Sequence, residues 1–359
     1  MIYKYELLKM VKNKLYIVGL CVVLILSALM LHAQYSEGYS FQYGDGTEAH
    51  YYGADYLRFN REVSADYDGR VVNDDFLLDV QAFSVEFTLD PTAPIIYGTS
   101  LSRFYENLYS VPEYIGTLPY SATEIFGEDL PVYYYTENWN CILNAVCNMT
   151  LPLLFFAVLC TAGVFCGEYA SGAFCVTSVT KHGRGGHARA KLLAVLTAVS
   201  AAFCIVMLVT VVMFGAVWGF DNCLTDIRVL PHGAFVSMPA GIPCIALLFV
   251  LLLFSYVSVM LAAAAAALLS SVCRNAYAAL ALSAAAVFLP ELCQMDRFPG
   301  KFFPNVYLLW PSNLYRVPMN DWFSYECSLP VFVWLVILAA VVPGLGFLSA
   351  RRYQHHKMK

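Results

Sequence analysis

The sequence predicts an all-α polytopic membrane protein with six transmembrane helices. Both termini are predicted to be cytoplasmic, and a small α+β extracytoplasmic domain is predicted between helices 1 and 2. Three observations lead to this fold class. The composition, with 59% hydrophobic and 13% charged residues, excludes an ordinary soluble domain. The chain contains six long apolar runs, and its basic residues cluster beside the ends of those runs.

Each apolar run is long enough to cross a bilayer. About 20 residues, rising about 1.5 Å each, cross a hydrocarbon core of about 30 Å. In lipid the backbone N–H and C=O groups must pair within the segment, so each run is predicted to be a helix. Pro152, Pro290 and Pro343 are predicted to bend these helices without ending them. The predicted spans are 15–33, 142–166, 192–219, 242–269, 276–295 and 329–348.

The distribution of positive charge predicts the orientation. Most of the 21 Lys and Arg residues lie in short segments beside span ends that share one side in a six-span topology. The positive-inside rule makes that side cytoplasmic. Segment 1–14 is then a cytoplasmic amphipathic helix, and 351–359 is a basic cytoplasmic tail. The basic residues on this side are Lys4, Lys9, Lys12, Lys14, Lys181, Arg184, Arg189, Lys191, Arg274, Arg351, Arg352, Lys357 and Lys359.

A basic start followed by an apolar run also describes a cleaved signal peptide, which is the alternative for the first span. The apolar core here is longer than the usual 7–15 residues, roughly, of such a peptide. Leu31-His32-Ala33 is also a poor small-x-small cleavage site. We therefore expect span 15–33 to be retained as a transmembrane helix.

Segment 34–141 is the one predicted extramembrane domain. It is acidic, rich in tyrosine and punctuated by Gly and Pro, which favours a small α+β unit. Asn73 is a good helix N-cap, with Asp74 and Asp75 in the first turn of the helix that it starts. A second short helix is predicted to begin near Ser100 or Ser102.

Two clusters in this domain allow two interpretations each. Four aromatic residues before the second span favour a membrane-interface belt, with a ligand-stacking platform as the alternative. Five acidic residues favour a solvated acidic face, since they lack the complete spacing of a calcium-binding loop. The aromatic residues are Tyr133, Tyr134, Tyr135 and Trp139, and the acidic residues are Asp66, Asp68, Asp74, Asp75 and Asp79.

The sequence contains no motif of a catalytic or metal site. It lacks H-E-x-x-H, G-x-S-x-G and the P-loop, so we predict no catalytic residue, no cofactor and no bound metal in this chain. Most of its cysteines lie inside spans and are expected to act as small apolar residues. Cys223, Cys293 and Cys327 are predicted on the outer side, where the sequence leaves a disulfide open. His182 and His187 are predicted to be solvated.

Loop 167–191, between the second and third spans, carries an ordered set of five residues. Glu168 ends the second span, Gly172 follows four residues later, Thr180 and Arg184 form a turn, and Lys191 opens the third span. This pattern resembles the cytoplasmic coupling loop of type-2 ABC transporter permeases, the membrane-spanning subunits of bacterial exporters. Two positions depart from the family pattern: Ala173 stands where Thr is common, and Lys181 stands where Pro is common.

The resemblance implies a function and its partners. A separate ABC ATPase subunit would bind ATP and Mg and hydrolyse the nucleotide, so this chain itself is not an enzyme. A second permease chain, identical or different, would complete the path in a bacterial cell membrane. The loop would dock into the ATPase, with Glu168 and Arg184 making charge-assisted contacts. Loop 296–328 would lie along the outer interface, and no nucleic acid is expected to bind.

Two other classes of function remain open. A membrane-anchored extracytoplasmic sensor or assembly protein would use domain 34–141 to bind a partner and would need no ATPase. A polytopic membrane enzyme would need polar groups that converge within the spans, where the sequence offers Asn144, Asn148 and Thr150. Helix packing is the favoured explanation of these three residues. The transported substrate does not follow from the sequence.

Overall fold

The computed structural model describes residues 2–36, 38–42, 48–89, 100–109, 118, 120–172, 186–231, 240–273, 275–292 and 331–354. Most of these residues are helical, as expected for an all-α membrane protein. In chain order the helices are α1 (Ile2–Val11), α2 (Lys14–Ser36), α3 (Gly53–Ala65), α4 (Asp74–Leu89), α5 (Ser100–Leu108), α6 (Ala122–Phe126), α7 (Glu137–Ala162), α8 (Cys166–Ala170), α9 (Gly186–Trp218), α10 (Cys244–Val272), α11 (Ala276–Leu292) and α12 (Val331–Gln354). Strands β1 (Gly38–Gln42) and β2 (Glu48–Tyr52) form an antiparallel hairpin.

Four helical stretches in the described part of the chain are long and apolar enough to cross a membrane. They are Lys14–Ser36, Glu137–Tyr169, Gly186–Trp218 and Cys244–Val272, and they coincide with the first four predicted spans. The fifth predicted span, 276–295, falls on α11, whose apolar part Ala276–Phe288 is shorter. The sixth, 329–348, falls largely on α12. Helices α7 and α12 continue through Pro152 and Pro343, as the sequence predicts.

The boundaries of the predicted loop 167–191 differ from those in the structure. Helix α9 begins at Gly186, several residues before the predicted start, and α8 occupies Cys166–Ala170. Hydropathy places a boundary where charged residues begin, whereas a helix continues through them when their side chains find partners. Lys191 has such a partner, and it lies within α9.

Helix α10 is central to the bundle. It packs against α7, α9, α11 and α12, while α7 also contacts α2 and α1 lies along α9. Five residues of the alanine run 262–267 are fully buried, which allows the close approach that small residues permit in a membrane bundle. They are Ala262, Ala263, Ala264, Ala266 and Ala267. The second run, 284–286, is instead mostly exposed.

Hydroxyl pairs connect the membrane helices inside the bundle. Thr150 donates to Ser255 over 2.9 Å, which ties α7 to α10. Ser27 and Thr210 lie 2.9 Å apart, which ties α2 to α9. Asn148 donates to Asn144 on the same helix over 3.0 Å. Thr150 thus takes part in helix packing, whereas Asn144 and Asn148 pair within α7.

Residues between α2 and α7 form a unit with its own aromatic core, which we call the extramembrane unit because the sequence predicts this segment to lie outside the membrane. This unit combines the β1–β2 hairpin with α3–α6, as the predicted α+β composition requires. Residues 69–72 pair with 131–133, for example through Gly69 N–H to the Tyr133 carbonyl over 2.8 Å. The core side chains are fully buried and include Val72, Phe76, Leu77, Val80, Leu101, Phe104, Tyr105 and Tyr133.

The loop after α9 completes this core, which the sequence did not predict. Val229 belongs to the same buried cluster as Phe76. Arg228, only 3% exposed, pairs with Asp226 over 2.8 Å. Its guanidinium also donates to the carbonyl oxygens of Phe126 and Asp129, over 3.2 and 2.8 Å. The extramembrane unit is thus fastened to the bundle by a buried arginine.

The acidic residues of the unit support its backbone. Asp68 accepts from the Tyr135 N–H over 2.7 Å, and Asp74 accepts from the Ala122 N–H over 2.6 Å. Asp79 pairs with Arg70 over 2.6 Å. The predicted acidic face therefore includes carboxylates that make structural hydrogen bonds.

Burial also corrects the prediction that the aromatic residues before the second span form a membrane-interface belt. Tyr133, Tyr135 and Trp139 are at most 3% exposed because they pack inside the protein, whereas Tyr134 is half-exposed. Burial raises the pKa of Tyr135 far above its ordinary value. The Trp139 indole donates to the Asp221 carbonyl over 2.8 Å, so this ring joins the start of α7 to the loop after α9.

The N-cap of α4 provides a test of this unit. Asn73 Oδ1 accepts from the Phe76 N–H over 2.9 Å, as predicted from the sequence. We expect Asn73→Ala to lower the free energy of unfolding by about 1 kcal/mol, because one helix N–H loses its acceptor. A denaturant titration of the full chain in detergent micelles measures this change. Asn73→Asp keeps the acceptor and should cost little; an equal loss in that variant would contradict the capping role.

Candidate functional site

Glu168 is positioned by a break between two helices. Helix α7 ends at Ala162, and α8 begins at Cys166 after a short turn. The N–H groups of Phe165 and Cys166 both donate to Ser270 Oγ, over 3.0 and 3.2 Å, which fixes the turn against the end of α10. The carboxylate of Glu168 is thereby aimed into the protein and is only 8% exposed.

Three donors from two other helices converge on this carboxylate. Lys191 Nζ forms a short ion pair with Oε1, and Tyr353 OH donates to Oε2. His187 Nε2 lies 3.2 Å from Oε1, and since a carboxylate offers no proton, the imidazole donates. We call Glu168, His187, Lys191 and Tyr353 the carboxylate cluster.

The carboxylate cluster is shielded from solvent. Lys191 is 6% exposed and Tyr353 is fully buried. The Tyr353 ring packs between two aromatic rings of the α7–α8 region, with centroid distances of 4.9 Å to Phe165 and 5.7 Å to Tyr169. A buried ion pair costs desolvation energy and is maintained only by good geometry and additional hydrogen bonds. The His187 and Tyr353 contacts supply such bonds.

A cleft of about 280 Å³ lies beside the cluster. Helix α1 provides one wall through Glu6, Lys9 and Met10, and Glu168 and Lys191 lie at the opposite side. Tyr3 OH donates to Thr197 over 3.0 Å and so holds α1 against α9. The N-terminal helix, the end of the second span and the start of the third therefore meet at this point.

Of the five residues predicted for the coupling loop, two are in direct contact. Glu168 and Lys191 form the central ion pair. Gly172 follows α8 with a φ of 68°, in the left-handed region that favours glycine. Thr180 and Arg184 lie outside the described residues, and so do the predicted outer loop 296–328 and the outer cysteines Cys293 and Cys327. Cys223 has a free thiol.

The sequence interpretation missed two members of the cluster. His187 was predicted to be solvated, but its side chain is 14% exposed and contacts Glu168. It lies four residues before Lys191, so an earlier helix start would have placed both side chains on one face of α9. Tyr353 lies at the end of α12, more than 180 positions from Glu168, and no local pattern links the two.

The geometry fits a clamp better than a catalytic centre. Both oxygens of the carboxylate already accept from protein donors, so neither is free to act as a base. Among the residues that the structure describes, no group of three or more His, Cys, Asp or Glu side chains could hold a metal ion. The carboxylate cluster joins the ends of α8, α9 and α12 rigidly.

We compared the chain with known protein families, with curated proteins and with solved structures, and none of the three comparisons gave a match.

Proposed function

We propose that this chain is the permease subunit of an ABC exporter, forms the export path and couples to a separate ATPase subunit. The observation that carries the proposal is the set of contacts of Glu168, which fasten the segment after the second span to α9 through Lys191 and to α12 through Tyr353. A force applied to this segment would reach α9 and α12 directly. The order of Glu168, Gly172, Thr180, Arg184 and Lys191, which resembles the coupling loop of type-2 permeases, supports the same function.

The proposed topology places the carboxylate cluster in the cytoplasm. The span ends predicted to be cytoplasmic meet one another, since Glu168, Lys191 and Tyr353 come from three separate spans. Exposed basic residues surround this end, among them Lys4, Lys9, Arg351 and Arg352. The extramembrane unit adjoins the opposite ends of α2, α7 and α9, which fits an extracytoplasmic position.

In this proposal, ATP and Mg are bound by the partner and not by this chain. Closure of a pair of ATPase subunits would move the coupling loop 167–191, and the buried ion pair would transmit that movement to the membrane helices. A second permease chain would form the other wall of the path. The spans would then reorient as rigid bodies around the centre of the bundle.

Photo-crosslinking tests this proposal. A photoreactive phenylalanine at Ser171, which is exposed beside the cluster, should crosslink in cells to a protein that mass spectrometry identifies as a P-loop ATPase. The matched control is the same group at Tyr120, which is 62% exposed on the extramembrane unit and should capture no ATPase. Capture of an ATPase at neither position, or equally at both, would contradict the proposal.

A membrane-anchored sensor or assembly protein is the second candidate. The observation that favours it is the separate aromatic core of the extramembrane unit, formed around Phe76, Phe104 and Tyr133. This function needs no ATPase. The crosslinking experiment therefore distinguishes the two, because a sensor would give a specific product at Tyr120 and none at Ser171.

A further inference from the structure

A pocket of about 120 Å³ lies between the extramembrane unit and the ends of the membrane helices. Its lining residues are more than 20 positions in sequence from every member of the carboxylate cluster. None of them lines the cleft beside that cluster. Side chains from α2, α3, α5, α7 and α9 line it. Those used in the argument are Gln34, Tyr56, Arg103, Glu137, Asn140 and Trp218.

Two hydrogen-bond acceptors of this pocket lack a partner. Gln34 Oε1 and Glu137 Oε2 are both buried, and neither has a hydrogen-bond donor in the described parts of the chain. Glu137 as a whole is only 4% exposed. Buried polar atoms without partners are uncommon in native proteins, since each costs desolvation energy. Two in one pocket indicate a place where a ligand donates hydrogen bonds.

The other oxygen of Glu137 is held firmly. Arg103 Nη1 lies 3.3 Å from Oε1, and Asn140 Nδ2 lies 3.4 Å from the same atom. Arg103 is itself oriented by a 2.9 Å hydrogen bond to Tyr56 OH. The positions of the carboxylate and the guanidinium are thus set before any ligand arrives.

The charges of the pocket balance. Arg103 and Glu137 carry opposite charges, and the remaining polar groups are amides and hydroxyls. A net cation would be attracted by Glu137 but repelled by Arg103 at a similar distance. A net anion would be attracted by Arg103 and repelled by Glu137. The lining therefore favours a neutral ligand that brings N–H donors.

We propose that this pocket binds the primary amide group of a small neutral molecule, whose N–H donors reach Gln34 Oε1 and Glu137 Oε2. The terminal torsion of Gln34 rotates over a broad range, so its oxygen can turn toward the ligand at low cost. The volume of the pocket suits a molecule about as large as a few water molecules. The Trp218 ring provides an apolar wall for the ligand's carbon atoms. This site does not depend on the proposed transport function.

Ligand-detected NMR tests the site on the full chain in detergent micelles, with propionamide as the probe. Propionamide should show saturation transfer from the protein, whereas sodium propionate, which has the same carbon skeleton but no N–H donor, should not. Methylammonium chloride tests the charge argument and should bind more weakly than propionamide. A stronger signal from methylammonium or from propionate would overturn the amide assignment.

Two variants test the named acceptors. Gln34→Met keeps the size of the side chain and removes one acceptor, and Glu137→Gln replaces the carboxylate with an amide. Each should raise the dissociation constant of propionamide several-fold, up to about tenfold, since each weakens one hydrogen bond. Gln34→Met should leave the midpoint of thermal unfolding unchanged, because its oxygen has no partner to lose.

The matched control is Glu128→Gln, an exposed acid of the same unit that should leave propionamide binding unchanged. A folded Gln34→Met protein that binds propionamide as tightly as the wild type would overturn the proposal. The absence of propionamide binding to the wild type would overturn it as well.

Discussion

Glu168→Gln is expected to lower the free energy of unfolding by about 3–5 kcal/mol, the usual cost of leaving one partner of a buried ion pair uncompensated. Lys191 is 6% exposed and would lose the carboxylate that balances its charge. Tyr353 and His187 would also lose a charged acceptor. Unfolding of the full chain in detergent, followed by denaturant titration or by the midpoint of thermal unfolding, measures the loss.

The double variant separates the charge effect from a general loss of packing. Lys191→Met in the Glu168→Gln background removes the unpaired ammonium and should recover most of the lost stability. The control, Glu128→Gln, alters an exposed acid and should change the free energy of unfolding by less than about 0.5 kcal/mol. A double variant no more stable than Glu168→Gln alone would show that the ion pair is not what holds this junction.

At the opposite end of the bundle, Arg228→Met is expected to lower the free energy of unfolding by a similar amount, about 3–5 kcal/mol. The substitution removes the cation from Asp226 and leaves the carbonyl oxygens of Phe126 and Asp129 without their donor. Arg228→Lys keeps the charge but cannot reproduce the planar fork of the guanidinium. Its free energy of unfolding should therefore lie between those of Arg228→Met and the wild type. Limited proteolysis of the extramembrane unit, together with thermal unfolding, measures the effect.

The control for this prediction is a surface ion pair between the same unit and the same loop after α9. Arg61 and Asp221 lie 3.1 Å apart, but their side chains are 53% and 64% exposed. Arg61→Met should therefore cost no more than about 1 kcal/mol. Equal losses in Arg228→Met and Arg61→Met would mean that burial of Arg228 contributes nothing to the attachment.

Local sequence patterns predicted the parts of the fold that local physics decides. Apolar runs placed the first four spans, because lipid forces such segments to be helical. Asn73 followed by two aspartates located the start of α4, because a side-chain acceptor and two negative charges both favour a helix N-terminus. Each of these signals lies within one continuous segment of the chain.

Local sequence patterns could not predict the long-range contacts. Glu168 and Lys191 were both selected from the sequence, but their direct contact depends on α9 starting at Gly186. Tyr353 reaches the same carboxylate from α12, and only the packing of the bundle brings it there. Val229 likewise joins a core otherwise formed by segments before α7. These residues have no local pattern that marks them, since their role arises from assembly of the fold.

The two ends of the bundle differ in a way that bears on the proposed transport function. At one end, the carboxylate cluster fixes three helices to one another. At the other, the extramembrane unit is attached through Arg228 and the loop after α9. A movement that starts at the carboxylate cluster would pass along α9 to that loop. The same path would serve a transporter that opens outward when its ATPase closes.

Stimulation of a partner ATPase is the most direct test of the central claim that the Glu168–Lys191 pair couples a nucleotide-driven movement to the membrane helices. The P-loop ATPase captured at Ser171 would be reconstituted in proteoliposomes with the wild type or with the Glu168→Gln, Lys191→Met double variant, which is expected to fold. The account predicts that the wild type stimulates ATP hydrolysis and that the folded double variant binds the ATPase with little stimulation. Equal stimulation by both proteins would contradict it.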